Sequence, residues 1–176
     1  MDKWGKTQST LEEFAKSFDR SARLRPKRSK LWGLTGPLST FATTIGRTVY
    51  IPADWTSYQV LSVIPHEVGG HVKQFRWCGL GIHPNAGILG MIIVYLWGIF
   101  FPIGLAYGRY RCELHAEIVS WRYHLKRGIM STLEVKRRAD WFGSLVVGSA
   151  YLYAWPRSLG LRGFQKAAQK VISEHP

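Results

Sequence analysis

Two histidines and a glutamate in the run His66-Glu67-Val68-Gly69-Gly70-His71 are the residues best equipped for chemistry. Neutral imidazole nitrogens bind metals such as zinc, and a carboxylate beside them can take a proton from a water the metal activates. The spacing is the difficulty. A regular helix turns about 100° per residue, so residues at i and i+5 point about 140° apart. On such a helix His66 and His71 diverge. A π-type bulge absorbs one extra residue and restores the facing, and such bulges concentrate at functional sites. Gly69 and Gly70 lower the steric cost of that distortion, although each glycine also weakens a helix by about 1 kcal/mol. The sequence therefore predicts a π-type bulge at Val68–Gly70 that turns His66 and His71 onto one metal. The competing reading is a broken helix with two unrelated histidines.

Carboxylates are scarce, and their placement favours the metal. Between Asp54 and Glu134 only Glu67, Glu113 and Glu117 occur, and each lies within two residues of a histidine. A two-histidine site needs a third protein ligand and an open position for water. Glu113 and Glu117 are spaced to share one helix face. His83, His115 and His124 are rival ligands; His115 points away from Glu113 on a helix, and His83 precedes Pro84 in a loop.

These residues carry a resemblance. The run is similar to the H-E-x-x-H helix of thermolysin-like (gluzincin) zinc peptidases, with one residue inserted, and Glu113 and Glu117 resemble the E-x-x-x-D pattern of their second helix. His71-Val72-Lys73-Gln74 and Glu113 to Ala116 also resemble a bacterial group of small zinc peptidases. The resemblance covers about residues 40–125 and departs in the inserted residue and in Glu for Asp at 117. It implies zinc held by His66, His71 and Glu113, with Glu67 as general base and Glu117 orienting a ligand histidine from behind. It also implies a peptide or protein substrate laid along the strand region 39–51. Arg109, Tyr110, Arg111, Tyr123 and His124 are the candidates for an electrophile on the tetrahedral intermediate.

The elements that must position these groups follow from local signals. Ser9 to Glu13 has the form of a capping box, predicting a helix to about Asp19. Arg20, Arg23, Arg25, Lys27, Arg28 and Lys30 then make a cationic stretch, taken first as a solvated linker and second as a lipid- or phosphate-binding arm. Residues 39–51 predict a hairpin turning at Gly46-Arg47. Asp54, Thr56 or Ser57 can cap the next helix, which Pro65 either kinks or opens, with Ser62 as a cap in the second case. Ala86 to Tyr107 is a run of 22 residues without a charge. As a single crossing it would carry His71 and Glu113 to opposite faces of a bilayer, so zinc binding requires it to double back near Gly98–Pro102 or pack as core. Further helices are predicted over 111–127, stopped by Gly128, from a second capping box at Ser131–Glu134 through the apolar Trp141–Trp155, and over 161–174.

The expectation is a mainly α (α+β), zincin-like helical domain with a short β-hairpin and an apolar helical hairpin. A basic arm spans 1–30, and one domain spans 31–176 with the apolar insertion at 86–107. The formal charge of +13 and the 8 Trp, 8 Tyr and 8 Phe admit an anionic lipid surface or nucleic acid as partner. Cys78 and Cys112 lack C-x-x-C spacing and are expected as reduced thiols. The polar first 16 residues carry no secretory signal, which places the chain in the cytoplasm or on a membrane with its site on the cytoplasmic side. The alternative to a peptidase is a structural or interaction protein, zinc-stapled or with a decayed site.

Overall fold

The computed structural model describes residues 7–28, 39–81, 83–91, 104–146 and 157–175. The chain is mainly helical with one small sheet, and it divides into two compact units, Met1–Met91 and Ile92–Pro176. Most of the apolar run, and the end of the Trp141–Trp155 stretch, lie outside the described residues. Among those described, no helix is long and apolar enough to cross a membrane.

In unit 1, helix α1 (Gln8–Phe18) leads into strand β1 (Arg23–Lys27), then β2 (Thr43–Ile45) and β3 (Thr48–Pro52). The sheet order is β1-β3-β2, with β1 parallel and β2 antiparallel to β3. Gly46 takes the positive φ (59°) that its two-residue hairpin turn demands. Helix α2 (Ser57–His66) starts at a reciprocal cap in which the Thr56 hydroxyl and the Gln59 side chain each bond the other's backbone. Pro65 sits inside α2, which settles the choice between kink and start: the helix runs through it. A π-helical turn, Glu67–Val72, follows directly, then helix α3 (Lys73–Cys78) and a short 3-10 turn, Pro84–Gly87.

One core organises this unit. Leu11 and Ala15 of α1, Leu24 of β1, Val49 and Ile51 of β3, Val60 and Ile64 of α2, and Val68 and Val72 of the π turn are all buried together. Burying a valine contributes about 1.5–3 kcal/mol. Val68 and Val72 therefore outweigh the roughly 1 kcal/mol that each of Gly69 and Gly70 costs in a helix.

Two expectations are corrected here. The predicted box at Ser9 does not form: α1 begins at Gln8 after Thr7, which makes no side-chain cap and instead lies 2.7 Å from the Ser57 hydroxyl. The basic stretch is not a solvated linker either. Arg23–Lys27 is a strand of the sheet with Leu24 and Lys27 buried, and Leu11, Ala15 and Leu24 pack in one core with β3 and α2.

Unit 2 is helical. Helix α4 (Gly104–Lys126) is stopped by Gly128 at φ 64°; α5 (Thr132–Val146) and α6 (Arg157–Ser173) pack beside it. Helix α4 starts inside the predicted insertion, so residues 104–107 belong to the helix that carries Glu113. Ser131 and Glu134 form the expected capping box, the Ser131 amide donating to Glu134 Oε2 at 2.6 Å and the Glu134 amide to Ser131 Oγ at 3.3 Å. The core is aromatic, Trp121, Phe142 and Tyr110 each meeting the Phe164 ring at 5.7–6.3 Å.

Candidate metal centre

The π turn does what the spacing required. His66 ends α2, His71 lies near the end of the turn, and both side chains are buried. Their Nε2 atoms are 3.1 Å apart, with ring centroids at 4.9 Å and planes at 75°. Two imidazole nitrogens at about 2.0–2.1 Å from a tetrahedral zinc stand about 3.4 Å from each other. The pair is within a few tenths of an ångström of that bite.

His71 is also oriented from behind. Its Nδ1 lies 3.0 Å from Gln74 Oε1, one turn along in α3. With Nδ1–H donating to that oxygen, Nε2 carries the lone pair and faces His66. Second partners of this kind fix the tautomer of metal-binding histidines. Gln74 was visible in sequence only as part of the resemblance; its i+3 position explains its reach.

Glu67 follows His66 directly and is buried. The Thr44 hydroxyl of β2 donates to Glu67 Oε2 at 2.5 Å, and among the described residues no donor reaches Oε1. One oxygen is thus anchored and the other left available.

Lys27, at the end of β1, is the group that sequence reasoning missed. It is 9% exposed, and its ammonium donates to the Phe41 carbonyl at 2.5 Å and to Thr43 Oγ1 at 2.8 Å. Burial pulls its pKa down to about 8 against the opposing pull of the Glu67 charge, so it remains protonated at neutral pH. Alternation at Arg23-Leu24-Arg25 has the period of a strand, but it puts Lys27 on the face of the exposed Arg23 and Arg25, so its burial had no local signal.

In unit 2, Glu113 and Glu117 are both buried on α4, one turn apart, and the Arg138 guanidinium of α5 lies 3.9 Å from Glu117 Oε2. The rival ligands have other surroundings. His115 is exposed on the opposite side of α4. His83 Nδ1 accepts from the Asn85 amide at 3.1 Å and caps the 3-10 turn. His124 is buried, 3.2 Å from the Ser120 hydroxyl; burial, then the Arg138 charge, push its pKa down.

Among the proposed electrophiles, Tyr110 is core. Its ring packs on Phe164, its hydroxyl points to the Gly160 carbonyl at 3.5 Å, and burial raises its pKa. The Arg111 guanidinium lies over the Tyr107 ring at 5.9 Å. Cys78 and Cys112 are free thiols.

Comparison with protein-family models, with curated proteins and with solved structures gave no match to this chain. The functional reading therefore rests on the residues themselves.

Proposed function

We propose that this chain is a zinc-dependent peptidase of gluzincin type with a widened H-E-x-x-x-H turn. In this reading His66, His71 and Glu113 form the group that holds the metal, Glu67 is the general base, and Glu117 orients a ligand histidine. The observation that carries it is the 3.1 Å approach of the two Nε2 atoms across a π turn. A regular helix would separate those atoms.

Bound zinc would lower the pKa of its water to about 7 and polarise the scissile carbonyl. The chain's own groups do the rest. Thr44 holds Glu67 Oε2, leaving Oε1 to take the proton of the attacking water and later pass it to the leaving amine. The Lys27 ammonium stands in the field of the Glu67 charge and sets a cation beside the base. Among the described residues strand β2 pairs only with β3, and Thr44, within it, touches Glu67. An extended peptide added along β2 would therefore run past the general base, gaining affinity from main-chain hydrogen bonds.

The test is a metal assay on the purified chain and two variants, combined with hydrolysis of an unfolded protein substrate. The expected result is one zinc per chain, lost in His71→Ala, and zinc retained without hydrolysis in Glu67→Gln. No metal in the parent chain ends the proposal. Equal hydrolysis by parent and Glu67→Gln would leave zinc as a staple of the fold and remove the peptidase.

A further inference from the structure

A second site lies in unit 1, independent of the histidine pair. A cavity of about 690 Å³ opens between one face of α1 and strand β1, and its wall carries Lys16, Arg20, Arg23, Arg25, Arg28 and Arg47. Its volume is in the range of small-ligand pockets. Among the described residues Glu12 is the single carboxylate in that wall, so six cations face one anion, a surplus of five. We propose that this cavity binds a cluster of phosphate groups, as a free polyphosphate or as the polyphosphorylated headgroup of a lipid.

The fold gathers this charge and removes its neutralisers. Gln8, Glu12 and Lys16 follow at i, i+4 and i+8 along one face of α1. Arg23 and Arg25 project to the same side of β1, with buried Leu24 between them, and lie about 7 Å apart by strand geometry. Arg47 joins them because its carbonyl accepts from the Arg23 amide at 2.9 Å. Asp19, the acid next to Arg20, is turned away: both its oxygens bind Arg76, at 2.8 and 2.9 Å. Glu12 itself accepts from Gln8 at 3.1 Å. Among the described residues, none of Lys16, Arg20, Arg23, Arg25 or Arg47 forms an ion pair.

The chemistry of the wall selects the ligand. Guanidinium forks match phosphate oxygens two at a time, which makes arginine the preferred residue for phosphate clusters. Among the described residues no aromatic side chain lines the cavity, so they offer no ring on which a nucleobase would stack, the main sequence-tolerant attraction for single-stranded nucleic acid. A compact anion of high charge is the better fit.

The test titrates the full chain with sodium tripolyphosphate and, separately, with vesicles containing phosphatidylinositol bisphosphate or, at matched charge, phosphatidylserine. The expected result is saturable binding of one tripolyphosphate per chain, weakening as salt rises. Arg23→Gln/Arg25→Gln on one wall and Lys16→Gln/Arg20→Gln on the other should each weaken it at least tenfold. Lys136→Gln/Arg137→Gln, an exposed cationic pair on α5, should leave it unchanged. Bisphosphate vesicles that bind and are released by tripolyphosphate identify a headgroup; vesicles that do not bind identify a free polyphosphate. The proposal is overturned by absence of saturable binding, by equal loss in the α5 control, or by an oligonucleotide that binds and is not displaced by tripolyphosphate.

Discussion

Unit 1 buries a carboxylate in two places. Asp19 gives both oxygens to Arg76 and one of them also to the Ser21 hydroxyl, at 2.6 Å. Glu67 has one oxygen held by Thr44, a lysine ammonium in its field, and two histidines, one residue before it and four after, whose Nε2 atoms converge. The first group is closed: each strong acceptor has its donor, on elements that have no other business together. In the second, the Nε2 atoms of His66 and His71 face each other at 3.1 Å beside a carboxylate anchored at one oxygen. A closed group of this kind holds a fold together, whereas the second is the one proposed above to hold a metal. Burial alone does not distinguish the two; the direction of the lone pairs does.

The sharpest way to break this contrast is to change the turn without changing its chemistry. An alanine inserted between Gly70 and His71 adds a further 100° of rotation. Metal affinity should then fall by more than the roughly 100-fold that loss of a supporting partner costs. Deleting Gly70 should keep binding within about tenfold, because the bulge absorbs exactly one residue and its removal leaves a regular i, i+4 pair. Zinc competition against a chromogenic chelator measures both. Strong binding by the insertion variant would show that the π turn is not what aims the histidines.

Supporting groups should have smaller effects. Gln74→Ala frees the His71 tautomer and should weaken zinc about 10–100-fold without altering the melting temperature, as read by the same competition assay and by circular dichroism. Lys27→Met removes the cation beside Glu67. Hydrolysis should drop about tenfold while zinc stays bound, since the change acts on the base and not on the ligands. The variant also has a pH signature. A lysine whose folded pKa is near 8, below its ordinary 10.5, is protonated in the unfolded chain over a window where the folded chain has released the proton. Its contribution to stability therefore rises from pH 8 to pH 10.5. Urea unfolding of the parent should show that rise, and Lys27→Met should lack it.

Much of this was legible in the residues. The glycine pair pointed to a widened turn, since only a helix that must open tolerates two adjacent glycines between buried valines. The Ser131 box and the hairpin around Gly46 followed from local rules whose energies are settled within a few residues. What was not legible depended on partners far along the chain. Lys27 looked like one cation among six until the sheet placed it under Phe41 and Thr43. Arg23-Leu24-Arg25 has a strand's alternation, yet its pairing with β3 lies across more than 20 residues of sequence, beyond any local signal. The α1 start was missed for a similar reason: Ser9 and Glu12 fit a box, but the helix starts two residues earlier, after Thr7, whose hydroxyl meets Ser57 on α2.

The smallest effect belongs to the closed group, and it tests the contrast from the other side. Burial alone would raise the Asp19 pKa, but the Arg76 hydrogen bonds, then those from Ser21, outweigh it and hold the carboxyl at about 2 against an ordinary 3.8. That difference corresponds to about 2 kcal/mol. Because the folded pKa is depressed, the stabilisation is complete above about pH 4 and disappears as pH falls to about 2. Arg76→Met should therefore cost about 2 kcal/mol at pH 7 and flatten the loss of stability between pH 4 and pH 2, as urea unfolding at each pH would show. Zinc affinity at neutral pH should be unchanged within about twofold, since the Arg76 guanidinium is bound to Asp19 and Ser21. A loss of zinc alongside the loss of stability would mean that the two buried carboxylates belong to one network, and the separation drawn between them would fail.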